Sequence, residues 1–202
     1  MGGRNEHSNL RSINKSGHWS IRKIKVQISS QSSIKCMILE PHPGTSATNK
    51  MDSNADTCCL GTNFIFIVMT ETTANMYPYN MSYEHMYNVP IVTGASTYTN
   101  INTGRSFIII LNEVWYYSKK LCYSMINPNQ LRSYGTMVLD NPFDSSRELS
   151  VKIQNGDTID LIANGTKIEF YPSAPTEHEF KSLPHVNLTS KFQWNPETFQ
   201  IV

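Results

Sequence analysis

The chain has 202 residues, of which 16% are charged, with 17 Lys and Arg against 16 Asp and Glu and a formal net charge of +1. That length holds one domain of ordinary size plus tails, and the near balance of charge implies no strong electrostatic partner for the chain as a whole. No apolar run approaches the roughly 20 residues of a membrane span, and the N-terminus lacks the apolar stretch of a signal peptide, so a cytoplasmic protein without membrane attachment is expected.

Tyr, Asn, Ser and Thr are abundant, a bias toward strands and turns over helices. The cysteines are Cys36, Cys58, Cys59 and Cys122. Adjacent Cys58 and Cys59 cannot easily both find disulfide partners, so reduced and mostly buried thiols are expected. There is no Cys-x-x-Cys pair and no helically spaced histidine pair. Neither a metal nor a cofactor is expected.

In chain order, residues 1–48 form a basic segment, with Arg4, Arg11, Lys15, Arg22, Lys23, Lys25 and Lys35 against Glu6 and Glu40. Residues 21–28 alternate apolar and polar as one amphipathic strand with a basic face. Nucleic-acid contact is the sharper reading of these cations and a solvated, partly disordered tail the plainer one. With Trp19 as the only supporting aromatic, the segment gives nucleic acid a weak footing. Pro41-His42-Pro43-Gly44 reads as a linker.

Lys50-Met51-Asp52-Ser53-Asn54-Ala55-Asp56-Thr57-Cys58-Cys59 then reads as a strand end, a tight polar turn and a return to apolar sequence. As a bare string it is an ordinary turn, since Asp, Ser and Asn are common turn residues. Asp52-Ser53-x-Ala55 also differs by one residue from Asp-Ser/Thr-Gly-Ala, the turn that carries the reactive carboxylate of aspartic proteases. Asn54 stands at the glycine position and adds bulk where glycine adds none.

Residues 64–69 read as a buried strand, Tyr77-Pro78-Tyr79-Asn80 as a turn and residues 89–95 as a second strand. Residues 100–104 read as a hairpin tip, and 107–111 and 114–117 as strands separated by Asn112-Glu113. Pro128 opens a helix that Gly135 caps. Farther on, residues 149–153 and 158–162 alternate on either side of Asn155-Gly156, a strong hairpin signal. Residues 167–171 add a third strand, and 172–184 read as a linker.

This order of elements resembles the protease region of copia-type retrotransposon polyproteins. More narrowly it is similar to a branch whose turn reads aspartate-serine-histidine-alanine-aspartate-threonine. Ile91-Val92-Thr93-Gly94-Ala95, Leu111-Asn112-Glu113-Val114-Trp115-Tyr116 and Asn127-Pro128-Asn129-Gln130 match segments of that branch in order and spacing. The resemblance covers about residues 51–171, and Val186-Asn187-Leu188-Thr189-Ser190 with Trp194-Asn195-Pro196 looks like the connector that follows in such polyproteins.

The resemblance implies an all-β, retropepsin-like fold: a small closed β-barrel with one short helix over 49–140. A β-meander extension would follow over 141–172, and a C-terminal linker or tail over 173–202. It implies an aspartic endopeptidase that processes a polyprotein. The chain holds one such turn, so two aspartates can meet only across the two-fold axis of a homodimer. Asp52 would be the catalytic carboxylate, Ser53 would hydrogen-bond across the turn, and Asn54 and Ala55 would support it. Asp56, Thr57, Gly94 and Ala95 would meet peptide substrate, and a hairpin over about 93–105 would close as a flap. The alternatives are an inactive or domesticated descendant acting as an interaction module, which the Asn54 exchange favours, and an unrelated β-rich binding module presenting Trp115-Tyr116-Tyr117.

Overall fold

The computed structural model describes residues 48–76 and 85–198. The basic strand expected at 21–28, the linker at 41–46, the turn at 77–80 and the apolar end at 199–202 lie outside the described residues. Within them the chain is mostly β-sheet with few short helices, the all-β class that was expected. The first strands are β1 (Asn49–Met51), β2 (Cys59–Leu60), β3 (Ile65–Met76), β4 (Met86–Thr99), β5 (Ser106–Tyr116) and β6 (Ser124–Ile126). Helix α1 (Pro128–Ser133) leads to β7 (Met137–Leu139), β8 (Ser150–Lys152), β9 (Thr158–Asp160), β10 (Ile162–Asn164) and β11 (Lys167–Phe170). Helix α2 (Glu177–Ser182) and β12 (His185–Asn187) follow.

Nine strands form one sheet in the order β10-β11-β1-β6-β2-β5-β4-β3, with β12 also paired to β5. Among the described residues this path is open, from β10 at one end to β3 at the other, and no pairing closes it into a barrel. A second sheet of three strands runs β7-β8-β9. The meander expected over 141–172 is thus divided. β8 and β9 turn at Asn155-Gly156, where Gly156 takes φ +89°, a conformation that a Cβ resists. β10 and β11 instead enter the large sheet, with Asn49 opposite Phe170.

The centre of the molecule is β5. Its run Phe107 to Leu111 is at most 5% exposed throughout, because strand residues alternate faces and both faces are covered. Phe107, Ile109 and Leu111 enter the main core with Leu60, Ile126 and Leu131. Ile108 and Ile110 pack with Ile65 and Ala95, against Phe180 and Leu183 of the α2 region. Each such side chain contributes about 2 kcal/mol on burial. Asn112-Glu113 does not split β5 into two strands as expected. Glu113 takes φ +56° and the β4–β5 register shifts between Val92 and Gly94, so the pair forms a bulge inside one strand.

The segment 172–184, expected as a linker, is built into the fold. Ser173 bridges Thr97, and α2 begins with a capping box in which Thr176 and Glu179 satisfy each other's backbone amides, sparing two orphan donors. β12 then pairs parallel to β5 with Val186 opposite Ile109. Within the expected C-terminal tail, His185–Asn187 is therefore a strand of the large sheet.

Candidate active site

The Asp52 turn is positioned by a parallel pair of strands. β1 runs beside β6 with Met51 opposite Ile126, and the Asp52 amide donates to the Ile126 carbonyl at 2.9 Å. Beneath the pair, Asn63 donates to Asn49 Oδ1 and accepts from Ser124 Oγ, each at 2.5 Å. These three polar side chains are at most 2% exposed, so their mutual bonds fix the register in a medium where an unmade bond is costly.

After β6 the chain enters α1. Asn127 is its N-cap, with Oδ1 accepting from the Asn129 amide at 2.8 Å and Pro128 in the first turn, where a missing N–H costs nothing. The Asn127 Nδ2 group reaches across to the Ala55 carbonyl at 2.7 Å. One helical turn on, Gln130 is 2% exposed, and its Oε1 accepts from Thr57 Oγ1 at 3.0 Å and from the Cys58 amide at 2.8 Å. Its Nε2 donates to the carbonyls of Asn112 and Glu113 at 3.3 and 3.0 Å. The bulge in β5 thus turns the Glu113 carbonyl toward a buried amide that also holds the turn.

Within the turn, Asp52 is half-buried, Ser53 and Asn54 are exposed, Ala55 is half-buried and Asp56 is exposed. The Asn54 amide donates to Asp52 Oδ1 at 3.0 Å. Among the described residues the non-glycine positions with positive φ are Asn88, Glu113 and Ser118. Asn54 is not one of them, so the missing glycine imposes no left-handed strain there. The Ser53 hydroxyl meets no partner among the described residues.

Three substrate contacts expected from the sequence are placed differently. Thr57 is 1% exposed and its hydroxyl is spent on Gln130 and the Glu113 carbonyl, so it faces inward. Gly94 and Ala95 lie in the sheet interior: Ala95 is 0% exposed, and a Cβ at Gly94 would run into Leu60 Cδ1. The glycine there serves close packing. The hairpin expected as a flap over 93–105 is also fastened down. Asn100 Nδ2 donates to the Thr158 carbonyl and to Asp160 at 2.9 and 3.0 Å, and Arg105 pairs with Asp157 at 3.0 Å. In this structure that tip is bonded to β9 and to Asp157 just before it.

Behind the turn, burial pushes the Cys58 thiol up to about 12. Burial raises Cys59 further still, helped by the negative charges of Cys58, Asp52 and Asp56. These thiols hold their protons and are poor nucleophiles. Among the described residues, no three His, Cys, Asp or Glu side chains gather as a metal site, and no helix is long and apolar enough to cross a membrane.

Sequence reasoning identified Asp52 but not the residues that hold its turn. Asn127 and Gln130 lie in a stretch whose helix-start pattern was visible, while their second task, across the turn, has no local signature. Trp194, whose indole N–H donates to the Asp56 carbonyl at 2.7 Å, stood out in the sequence only as part of the connector motif, with nothing to place it at this turn. No protein-family model matches this chain, and no curated protein or solved structure does so either.

Proposed function

We propose that this chain is a retropepsin-like aspartic endopeptidase of retrotransposon type, active as a homodimer that brings two Asp52 turns together. The observation that carries the reading is the form of the Asp52 turn. One carboxylate oxygen is held by the Asn54 amide, and the half-buried carboxylate stands at the end of a strand whose register is fixed by buried polar bonds. Two such carboxylates across a two-fold axis share one proton, because two like charges at close range cannot both ionise. The ionised member takes a proton from water as the water oxygen adds to the scissile carbonyl carbon. The protonated member donates to the carbonyl oxygen. Collapse of the resulting diol breaks the C–N bond and sends a proton to the leaving amine. The exposed Ser53 hydroxyl fits a bond made across that axis.

The test is cleavage of an unfolded peptide library between about pH 4 and 7 by the wild type and by Asp52→Asn, which keeps the turn's shape and removes the charge. Loss of at least about 10³-fold in rate, with an unchanged unfolding midpoint, is the expected result; equal cleavage by both proteins sinks the reading.

A second reading, the same dimer without chemistry, is favoured by one observation: the Asn54 side chain is exposed on the turn, where substrate would have to pass. A wild type that is folded, dimeric and inert, and in which Asn54→Gly brings cleavage, distinguishes it.

A further inference from the structure

We propose that Trp194 is a positioning residue of the Asp52 turn, and that the segment 190–198 is a strap holding this turn. The part of the proposal that concerns catalysis rests on the endopeptidase reading; the geometry does not. Each of the four residues after Asn54 is tied from outside the turn. The Ala55 carbonyl takes Asn127, the Asp56 carbonyl takes Trp194, and Thr57 and Cys58 both take Gln130. Three ties come from the short stretch 127–130, already beside the turn through the β1–β6 pair. The fourth comes from 138 residues along the chain.

That fourth tie acts on a specific rotation. The Asp56 carbonyl and the Thr57 amide belong to one planar peptide group, so the bond at 2.7 Å fixes how this group is turned. Its orientation sets the direction in which the chain passes from Asp56 into Thr57, at the far end of the turn whose near end holds the Asn54–Asp52 bond. Trp194 is 8% exposed and faces a cleft shared with Gln130 and Ser133 of α1. Its N–H is thus spent in a part-buried bond beside an otherwise buried ring.

The strap is anchored at both ends. Upstream, Thr189 is 1% exposed, its hydroxyl accepting from the Asn112 amide at 2.7 Å and donating to the Asn112 carbonyl at 2.9 Å. Downstream is the Trp194 bond. Between them Lys191, Phe192 and Gln193 are exposed, Phe192 at 85%. A bond to β5 on one side and to the turn on the other makes this stretch a bridge between the central strand and the carboxylate.

The experiment uses the full chain carrying Trp194→Phe, which keeps the packed ring and removes the N–H, with Phe192→Ala as a control in the exposed middle of the same strap. Amide hydrogen exchange is read at Asn54 and Cys58 and, for comparison, along β5, and peptide cleavage is read as kcat and KM. Trp194→Phe is expected to speed exchange at Asn54 and Cys58 about fivefold, the worth of one net hydrogen bond, with β5 unchanged. It should lower kcat with KM constant, and Phe192→Ala should leave both readouts at wild-type values. Unchanged exchange in Trp194→Phe overturns the proposal, as does an increase spread equally over β5, which marks general loosening. If neither the wild type nor any variant cleaves peptide, the endopeptidase reading fails while the exchange result still decides the strap. If cleavage is robust and Trp194→Phe leaves kcat and exchange unaltered, the strap fails and that reading stands.

Discussion

Two polar turns in this molecule look alike as sequence and differ in how much of their bonding is local. The turn after β4 has a network of its own, in which Asn100 Oδ1 accepts from the amides of Asn102 and Thr103 and from the Thr103 hydroxyl at 2.8 to 3.0 Å, and it adds ties outward to Thr158, Asp160 and Asp157. The Asp52 turn has one such local bond, from Asn54, and takes its other ties from Asn127, Gln130 and Trp194. The Asp52 turn therefore depends more heavily on groups whose own positions are set by packing elsewhere.

The contrast predicts unequal costs. Gln130→Leu should be the most damaging change, because an apolar side chain there leaves the Cys58 amide buried without its partner and strips one bond each from the Thr57 hydroxyl and the Asn112 and Glu113 carbonyls; about 3 kcal/mol of stability is expected to go, measured by denaturant unfolding. Asn100→Ala removes a comparable number of bonds, but around atoms that water can reach, since residues 101–105 are exposed. A loss of about 1.5 kcal/mol is expected in the same measurement. If Asn100→Ala costs more than Gln130→Leu, the distinction between the two turns collapses.

Alkali sharpens the comparison further, since the Asp52 turn runs directly into Cys58 and the Asn100 turn holds no thiol. Burial raises the Cys58 thiol from 9.0 to about 12. A group raised in the folded state contributes stability that is full below the unfolded value and is lost as pH climbs toward the folded one. Between pH 8 and pH 10 the wild type should therefore lose on the order of 1 kcal/mol through this group. That loss should be absent from the pH dependence of Cys58→Ala, and parallel slopes in the two proteins would contradict it.

Much of this architecture was legible because it is local. The run 107–111 read as a strand, Asn155-Gly156 as a hairpin turn, and Pro128 as a helix start. What the sequence concealed is long-range. Asn112-Glu113 looks like a break between strands and becomes a bulge because β4 stays paired on both sides of it. Residues 172–184 look like a linker because Pro and polar residues dominate, yet Phe180 and Leu183 cover the outer face of β5. Gly94 sits in a motif that suggests substrate contact, while its small size is demanded by Leu60. In each case the deciding partner lies on another element, beyond the reach of periodicity or turn chemistry.

The β1–β11 pairing has a consequence for synthesis. A growing chain makes Asn49 and the Asp52 turn early, but the strand that pairs with Asn49 through Phe170, the strand that lies along Ile109 and the indole that grips Asp56 all come late. At about 5–20 residues per second, more than 130 residues take on the order of ten seconds to appear. During that interval β3, β4 and β5 stand as a meander with Ile108 and Ile110 uncovered. The outer face of β5 is therefore covered late in synthesis, and the Trp194 bond is the last of the four ties on the Asp52 turn to become available.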